Sequence, residues 1–209
     1  MSGASPTLRY LALGDSYTIG EGVAAGQSWP VRLARALRAE GIGLADPEVI
    51  ATTGWTTDEL DAAIDEAAPG SDFELASLLV GVNNQYRGRG AGEYRDEFAA
   101  LLERAIGFAG GEPGRVFVLS IPDWGVTPFA AESGRDAGVI ARELDAFNAV
   151  ALGRCRERGV AFVDITPISR ARGAEPVMLA DDGLHPSAAM HAEWARMALP
   201  VVRGLLRAC

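Results

Sequence analysis

Residues 8–16 read LRYLALGDS, an apolar run that closes on glycine, aspartate and serine. A run that is apolar almost throughout, rather than alternating, is typical of a parallel strand covered on both faces. Four further short runs also read as strands, at Glu48–Ala51, 75–82, 115–121 and 160–165. We therefore predict five buried strands, the first of which spans residues 8–13 and leads directly into Ser16.

Helical patterns lie between these runs. Ser28 is placed to cap a helix over Trp29–Ala39 that Gly41 ends, and residues 56–59 fit a capping box for a helix through Ala67. Apolar residues recur at helical spacing over 94–105, 139–151 and 190–205. Strand and helix alternate, which predicts a three-layer α/β fold with a parallel sheet. Without a repeat or linker, we expect one domain over residues 1–209.

Charge and composition limit the function classes. The net charge is −9 and all 19 basic residues are arginine, so we expect no nucleic-acid binding by phosphate neutralisation. Without lysine there is no Walker-type loop, and the glycines near residue 14 do not fit a dinucleotide fingerprint. Two histidines and two cysteines argue against a zinc site, and we expect no metal and no cofactor.

The polarity of the first residues and the lengths of the apolar segments lead to an expectation for localisation. The first seven residues are polar, the apolar run that follows is too short for a signal-peptide core, and no segment is long enough for a membrane helix. Cys155 and Cys209 do not suggest a disulfide framework. These features predict a reduced, cytoplasmic protein without stable membrane insertion, and they leave the oligomeric state open.

Polar residues follow every predicted strand. In parallel sheets ligands bind at the carboxyl ends of the strands, so these residues should share one edge of the sheet. In chain order they are Ser16, Gly54, Asn83, Asp123 and the loop that carries Asp182 and His185.

Ser16 and His185 are the pair best suited to nucleophilic chemistry. A serine hydroxyl is a weak nucleophile until a base takes its proton, and an imidazole does this near neutral pH. Asp182 stands three residues before His185, close enough to orient its ring, although Asp181 and Asp123 compete for that role. His191 is the other histidine, and its helical position predicts a surface or half-buried side chain.

An attacking serine also needs hydrogen-bond donors where negative charge develops on the substrate. The backbone N–H of Ser16 lies at a strand-to-helix turn. Gly54 offers its own N–H just before a helix N-terminus, and Asn83 offers a side-chain amide. We predict that these three groups form an oxyanion hole.

Other polar and aromatic residues are candidates for the substrate pocket. Tyr86 and Arg87 follow Asn83 in a glycine-rich stretch that lines the pocket or is a solvated loop. Among the tryptophans, Trp55 is favoured over Trp29 and Trp124 because it adjoins Gly54. Residues 123–138 lack periodicity and fit either a flap over the site or an ordinary connection.

Several of these residues also form motifs of a known family. Residues 14–17 resemble the first block of the SGNH hydrolases, also called GDSL esterases/lipases, and Gly54 resembles the glycine of the second. Residues 81–84 are similar to the third block and residues 182–186 to the fifth. The resemblance implies a flavodoxin-like fold with strand order 2-1-3-4-5, a metal-free Ser16-His185-Asp182 triad, and an oxyanion hole from Ser16, Gly54 and Asn83.

The resemblance implies hydrolysis of esters, and in some members of thioesters or O-acetyl groups on carbohydrates. We therefore expect a serine esterase that acts on a small-molecule ester through an acyl-enzyme. An acyltransferase with the same triad and a non-catalytic module that binds an acylated ligand remain alternatives.

The sequence departs from the motifs of this family at two positions. Tyr17 stands where the first block usually has leucine, and Asn84 stands where the third block commonly has aspartate. We expect Asn84 to alter either the structure of its loop or the choice of substrate, and it joins Trp55, Tyr86 and Arg87 as a candidate substrate-binding residue.

Overall fold

A computed structural model describes residues 7–208, including the backbone but not the side chain of Ala208. The expectations for the first six residues and for Cys209 lie outside this range. Five strands form one sheet: β1 Tyr10–Gly14, β2 Glu48–Ala51, β3 Leu75–Leu79, β4 Val116–Leu119 and β5 Ala161–Val163.

The sheet is parallel throughout and has the order β2-β1-β3-β4-β5. Every residue of β1 and β3 is buried, as their apolar sequences require in a sheet with helices on both faces. Gly14, the last residue of β1, pairs with Ala51 on one side and with Leu79 on the other. The predicted three-layer α/β fold and its strand order are confirmed.

Helices occupy the connections between the strands. They are α1 Ser16–Ile19, α2 Trp29–Ala39, α3 Thr57–Ala67, α4 Val82–Tyr86, α5 Ala91–Phe108, α6 Pro128–Glu132, α7 Ala137–Arg158, α8 Thr166–Arg172 and α9 Ala188–Ala208. Within the part of the chain that the structure describes, none of them is long and apolar enough to cross a membrane.

The capping signals decide where the predicted helices begin and end. The Thr56 N–H donates to Glu59 Oε2 at 2.9 Å, which completes the predicted capping box of α3. Gly41 follows α2 with a φ of 86°, the left-handed conformation that favours glycine at a helix end. Ser28 holds the N-cap position of α2 but makes no capping bond with its side chain.

Strand β3 is shorter than the sequence predicts. The apolar run continues to residue 82, but the strand ends at Leu79 because Gly81 adopts a φ of 129° and starts a turn. Val82 then begins α4, so Asn83 lies on a short helix rather than at a strand end. This turn carries the third motif to the edge of the sheet where Ser16 lies.

His191 belongs to the core, so the prediction of a surface or half-buried side chain is wrong. The side chain is fully buried on α9, and its Nδ1 accepts a hydrogen bond of 3.2 Å from the backbone N–H of Trp29, the first residue of α2. The ring therefore joins two helices that pack against each other. Burial, with a smaller contribution from Arg32, lowers the pKa of His191 to about 3.

Candidate active site

A cavity of about 210 Å³ opens at the carboxyl edge of the sheet. Its polar wall consists of residues that follow β1, β2 and β3, together with a histidine from the loop before α9: Ser16, Thr53, Gly54, Asn83 and His185. The rest of the lining is apolar and largely aromatic, and we call it the apolar wall: Tyr17, Val82, Tyr86, Trp124, Phe129 and Leu184. The fold therefore brings Ser16, Gly54, Asn83 and His185 to one cavity.

Ser16 is held by a tight turn between β1 and α1. Asp15 caps the helix, and its Oδ1 accepts a hydrogen bond of 3.0 Å from the Tyr17 N–H. Gly14 permits the close approach of β3, because a Cβ there would lie 2.5 Å from the carbonyl oxygen of Leu79. Ser16 itself is only 4% exposed, so its hydroxyl is reached through the cavity.

Asp15 stabilises this turn from a fully buried position. Burial raises the pKa of its carboxyl to about 7, although hydrogen bonds from the backbone of Tyr17 and Gly81 act in the opposite direction. Its second oxygen, Oδ2, has no hydrogen-bond partner among residues 7–208. Asp15 does not line the cavity of the described chain.

Asp182 contacts His185 directly. Its Oδ2 lies 2.5 Å from His185 Nδ1, and its Oδ1 accepts hydrogen bonds of 2.9 Å from the backbone N–H groups of Leu184 and His185. Burial acts to raise the pKa of Asp182, but these hydrogen bonds outweigh it and the pKa is lowered. The carboxylate is therefore favoured in its charged form beside the ring.

The competing carboxylate Asp123 is engaged elsewhere. It is 4% exposed, caps the 3₁₀ helix Trp124–Val126 through the Gly125 N–H, and pairs with Arg170 at 2.8 Å. Asp182 is thus the aspartate that contacts the ring of His185 in the described chain. Because Asp182 occupies Nδ1, Nε2 is the nitrogen of His185 that remains for a reactant in the cavity.

The predicted oxyanion donors differ in how they are held. Gly54 has a φ of 90°, and an added Cβ would meet no atom within 4 Å. The backbone conformation, rather than lack of space, therefore requires glycine there. Its N–H meets no hydrogen-bond acceptor within residues 7–208. Asn83 donates one amide hydrogen to the Trp55 carbonyl at 2.8 Å, which leaves its second N–H for the cavity.

The substrate-pocket expectations are met only in part. Tyr86 lines the cavity, whereas Trp55, Asn84 and Arg87 are absent from its walls in the described chain. Asn84 is fully buried, and its contacts support the other expectation, a role in the structure of the loop that follows β2. Its Oδ1 accepts from the Thr57 N–H at 3.1 Å, and its Nδ2 donates to Thr57 Oγ1 at 2.6 Å.

The apolar wall contains residues that the sequence did not single out. Phe129 and Leu184 lie there, and Trp124 rather than Trp55 is the tryptophan of the cavity. Trp29, the remaining candidate, is fully buried in the core. Residues 123–138 include a 3₁₀ helix and α6, which carry Trp124 and Phe129, and a short irregular stretch over 133–136 leads from α6 to α7.

Three aromatic side chains of this wall pack in a row, with Tyr86 edge to face against Trp124 and Phe129 tilted against it. The ring centres of Tyr86 and Trp124 lie 5.4 Å apart, and those of Trp124 and Phe129 lie 6.1 Å apart. Trp124 donates from Nε1 to Gln85 Oε1 at 2.9 Å, and the Arg135 guanidinium lies 5.3 Å from its ring centre. These contacts hold the aromatic side chains that line the cavity.

No group of three or more His, Cys, Asp or Glu side chains between residues 7 and 208 is arranged to hold a metal ion. Cys155 is free and buried inside α7, and burial raises the pKa of its thiol to about 12. The chemistry that this arrangement offers is that of a hydroxyl, an imidazole, a carboxylate and several N–H donors.

Solved structures with this architecture include several hydrolases. The crystal structure of TesA superposes with a TM-score of 0.70 at 21% identity, covering 94% of this chain and 99% of TesA. Axe2, an acetylxylan esterase from Geobacillus stearothermophilus, gives 0.71 at 21% identity, covering 93% and 94%. The psychrotrophic esterase EstA from Pseudoalteromonas sp. gives 0.68 at 14% identity, covering 95% and 98%. At these identities the likeness establishes the fold.

The family of the protein is identified by comparison of its sequence with family models. No curated protein sequence matches the chain. The model of the GDSL-like Lipase/Acylhydrolase family, however, matches residues 12–193, from β1 into α9. This match includes the turn at Ser16, the loop at Gly54, helix α4 and the Asp182–His185 pair. The chain therefore belongs to the GDSL-like lipase/acylhydrolase family, whose fold is that of the SGNH hydrolases.

Proposed function

We propose that the protein is a serine esterase that hydrolyses small carboxylic esters through an acyl-enzyme at Ser16. The observation that carries this proposal is the 2.5 Å contact between Asp182 Oδ2 and His185 Nδ1, on the rim of the cavity that also contains Ser16. A carboxylate in this position fixes the tautomer of the imidazole and stabilises the imidazolium that forms when the ring accepts a proton.

In the first half of the reaction, His185 Nε2 takes the proton of Ser16 Oγ while Oγ attacks the ester carbonyl. The negative charge that develops on the carbonyl oxygen is met by N–H groups of Ser16, Gly54 and Asn83. The tetrahedral intermediate then collapses, the bond to the alcohol oxygen breaks, and the imidazolium gives its proton to the departing alcohol. Ser16 is left as an acyl ester.

In the second half, a water molecule attacks this acyl ester. His185 accepts a proton from the water, and the same N–H groups stabilise the second tetrahedral intermediate. Collapse releases the carboxylic acid and returns the proton to Ser16 Oγ. Each proton transfer uses the same imidazole nitrogen, so Asp182 keeps one ring orientation throughout the cycle.

The cavity supports short-to-medium acyl groups as substrates. Its apolar wall includes Tyr86, Trp124 and Phe129, and a volume of about 210 Å³ limits the size of the acyl group that fits inside. Acetyl esters of carbohydrates are included among the candidates, since Axe2, with the same fold, is named an acetylxylan esterase. Lysophospholipids and thioesters are the other candidates within the same chemistry.

Hydrolysis of a series of p-nitrophenyl esters, from acetate to palmitate, together with acetylated xylo-oligosaccharides, tests this proposal. We expect turnover of the short esters, and a fall in kcat of about 10⁴-fold or more in Ser16→Ala and in His185→Ala. Ser71→Ala, at an exposed serine, is the matched control and should retain wild-type rates. Near-normal turnover by either active-site variant would remove that residue from the reaction.

A further inference from the structure

The loop that contains Gly54 is held by three side chains, those of Asn83 and Asn84 in α4 and of Arg87, the residue that follows α4. This loop follows β2, whereas α4 follows β3, and β1 lies between these two strands in the sheet. The loop must therefore reach past the end of β1, where Ser16 lies, to meet α4. Its backbone crosses the site that the proposed reaction uses.

The contacts fall on nearly consecutive peptide groups. Arg87 donates from Nη2 to the Gly54 carbonyl at 2.7 Å, and Asn83 donates to the Trp55 carbonyl at 2.8 Å. Asn84 accepts from the Thr57 N–H at 3.1 Å. The first of these contacts is made to the residue whose N–H is the proposed oxyanion donor.

Both terminal nitrogens of Arg87 are engaged by the protein, although the side chain is half-exposed. Its other terminal nitrogen, Nη1, pairs with Glu59 Oε1 at 3.1 Å, on the first turn of α3. Arg87 is also absent from the cavity walls within the described residues. The side chain therefore joins the loop, α3 and α4 from outside the cavity.

Gly54 needs such a contact more than another residue would. Glycine occupies many backbone conformations at similar energy, so a loop that depends on one of them must be fixed by its surroundings. Holding the Gly54 carbonyl restricts rotation about the bonds that also set the direction of its N–H. The Trp55 carbonyl, held by Asn83, restricts the following peptide in the same way.

We propose that Arg87 is a positioning residue, which holds the Gly54 carbonyl so that the Gly54 N–H points to the developing oxyanion. This inference rests on the proposed esterase reaction for its kinetic consequence. Its structural consequence, a fixed Gly54 peptide, does not depend on the reaction. An N–H aimed before the reaction stabilises the transition state more than the bound ester, so Arg87 should affect kcat rather than KM.

The kinetic test compares Arg87→Ala, Arg87→Lys and Arg89→Ala on p-nitrophenyl acetate. Arg89 is the matched control, because it pairs with Asp58 on the same first turn of α3 at 2.7 Å but makes no contact with the loop backbone in the described chain. We expect kcat to fall about 10-fold or more in Arg87→Ala, with KM within about twofold, since losing an oxyanion donor outright costs about 10²–10³.

Arg87→Lys should recover part of this loss, because an ammonium keeps a positively charged donor for the Gly54 carbonyl but lacks the planar fork by which two nitrogens contact Gly54 and Glu59. Arg89→Ala should retain kcat within about twofold of wild type. An unchanged kcat in Arg87→Ala, an equal loss in both alanine variants, or a raised KM with unchanged kcat would each overturn the proposal. The last result would identify Arg87 as a substrate-binding residue.

A second readout separates this inference from the esterase reaction. In ¹⁵N-labelled protein, the amide signals of Gly54 and Trp55 should shift in Arg87→Ala but not in Arg89→Ala. Hydrogen exchange should accelerate in Arg87→Ala at the Trp55 N–H, which donates to the Thr52 carbonyl at 3.3 Å. If Ser16→Ala retains activity, the proposed reaction is wrong, and this comparison still decides whether Arg87 fixes the loop. Unchanged amide signals in Arg87→Ala would contradict the positioning role whatever the activity of Ser16→Ala.

Discussion

The Asp182 carboxylate holds both the backbone and the ring of His185. One oxygen accepts from the His185 N–H at 2.9 Å, and the other lies 2.5 Å from Nδ1 of the same residue. The spacing of three residues between them forms a compact turn, and so the orientation of the imidazole is set locally. The fold places this turn at the cavity that contains Ser16.

Replacement of Asp182 by asparagine tests the importance of this contact. An amide oxygen can still accept from the backbone N–H groups, but an amide does not stabilise an imidazolium and can favour the wrong ring tautomer. We expect kcat for p-nitrophenyl acetate in Asp182→Asn to fall about 10³–10⁴-fold, with a small change in KM. The exposed neighbour offers the control, Asp181→Asn, which should keep wild-type kcat. A loss below about threefold in Asp182→Asn would exclude the orienting role.

Glu97 explains why asparagine suits position 84. Glu97 Oε2 lies 3.3 Å from Asn84 Nδ2, beside the fully buried amide. An aspartate here would bring two carboxylates together at a site with little water, and it would lose the bond donated to Thr57 Oγ1. We predict that Asn84→Asp lowers the free energy of unfolding in urea at pH 7.5 by about 1–3 kcal/mol.

The double variant Asn84→Asp/Glu97→Gln should regain most of this loss, because a glutamine amide can donate to the new carboxylate. Glu97→Gln alone provides the reference for the double-mutant cycle. Equal stability of Asn84→Asp and wild type would show that Glu97 does not constrain this position.

Phe129 should limit the length of the acyl chain. It stands in the apolar wall at the end of the aromatic row and is only partly buried, so its truncation enlarges the cavity without opening the core. We predict that Phe129→Ala raises the kcat/KM ratio of p-nitrophenyl octanoate to acetate by about 10-fold. Val177→Ala, at a residue that is 62% exposed, is the control. A dependence on the leaving group instead of the acyl chain would place the alcohol, not the acyl group, against this wall.

His191 should make the fold sensitive to acid. Its pKa is about 3 in the folded protein, whereas an unfolded histidine titrates near ~6.5, so below pH ~6.5 the unfolded chain binds a proton that the folded one does not. The stability contribution is present above that pH and declines as the pH falls towards 3. Between pH 7 and 5 this amounts to about 2 kcal/mol.

His191→Gln removes the titrating group from this position. Urea unfolding at several pH values should show a pH dependence that is shallower by about 2 kcal/mol over this interval than in wild type. Comparing slopes rather than absolute stabilities separates the titration from any change in packing. Parallel slopes for the two proteins would mean that the ring is accessible to protons in the folded state.

The fold was predictable from the sequence because its signals are local. Uninterrupted apolar runs mark buried parallel strands, and the capping box at Thr56 and the glycine at position 41 mark helix ends. The position of Ser16 after β1 also follows from the sequence. Parallel strands present their carboxyl ends at one edge, so residues distant in the chain could be assigned to one site before any contact was known.

The apolar wall and the buried polar residues depend on tertiary contacts that no local pattern carries. Trp124 and Phe129 lie in a segment without periodicity, and their side chains meet the cavity only because this segment folds back against α4 and the loop at Leu184. Asn84 and His191 are buried against backbone N–H groups that they accept from, those of Thr57 and Trp29. These partners are 27 and 162 residues away in the chain, so no local pattern could predict the burial.

The central claim is that His185 activates Ser16, and covalent labelling with a fluorophosphonate tests it most directly. Peptide mapping by mass spectrometry at pH 7.5 should find one phosphonyl adduct, on Ser16, in the wild-type protein. His185→Ala should slow its formation about 100-fold or more, and Ser16→Ala should abolish it. An adduct on another residue, no adduct at all, or equal labelling rates with and without His185 would contradict the account.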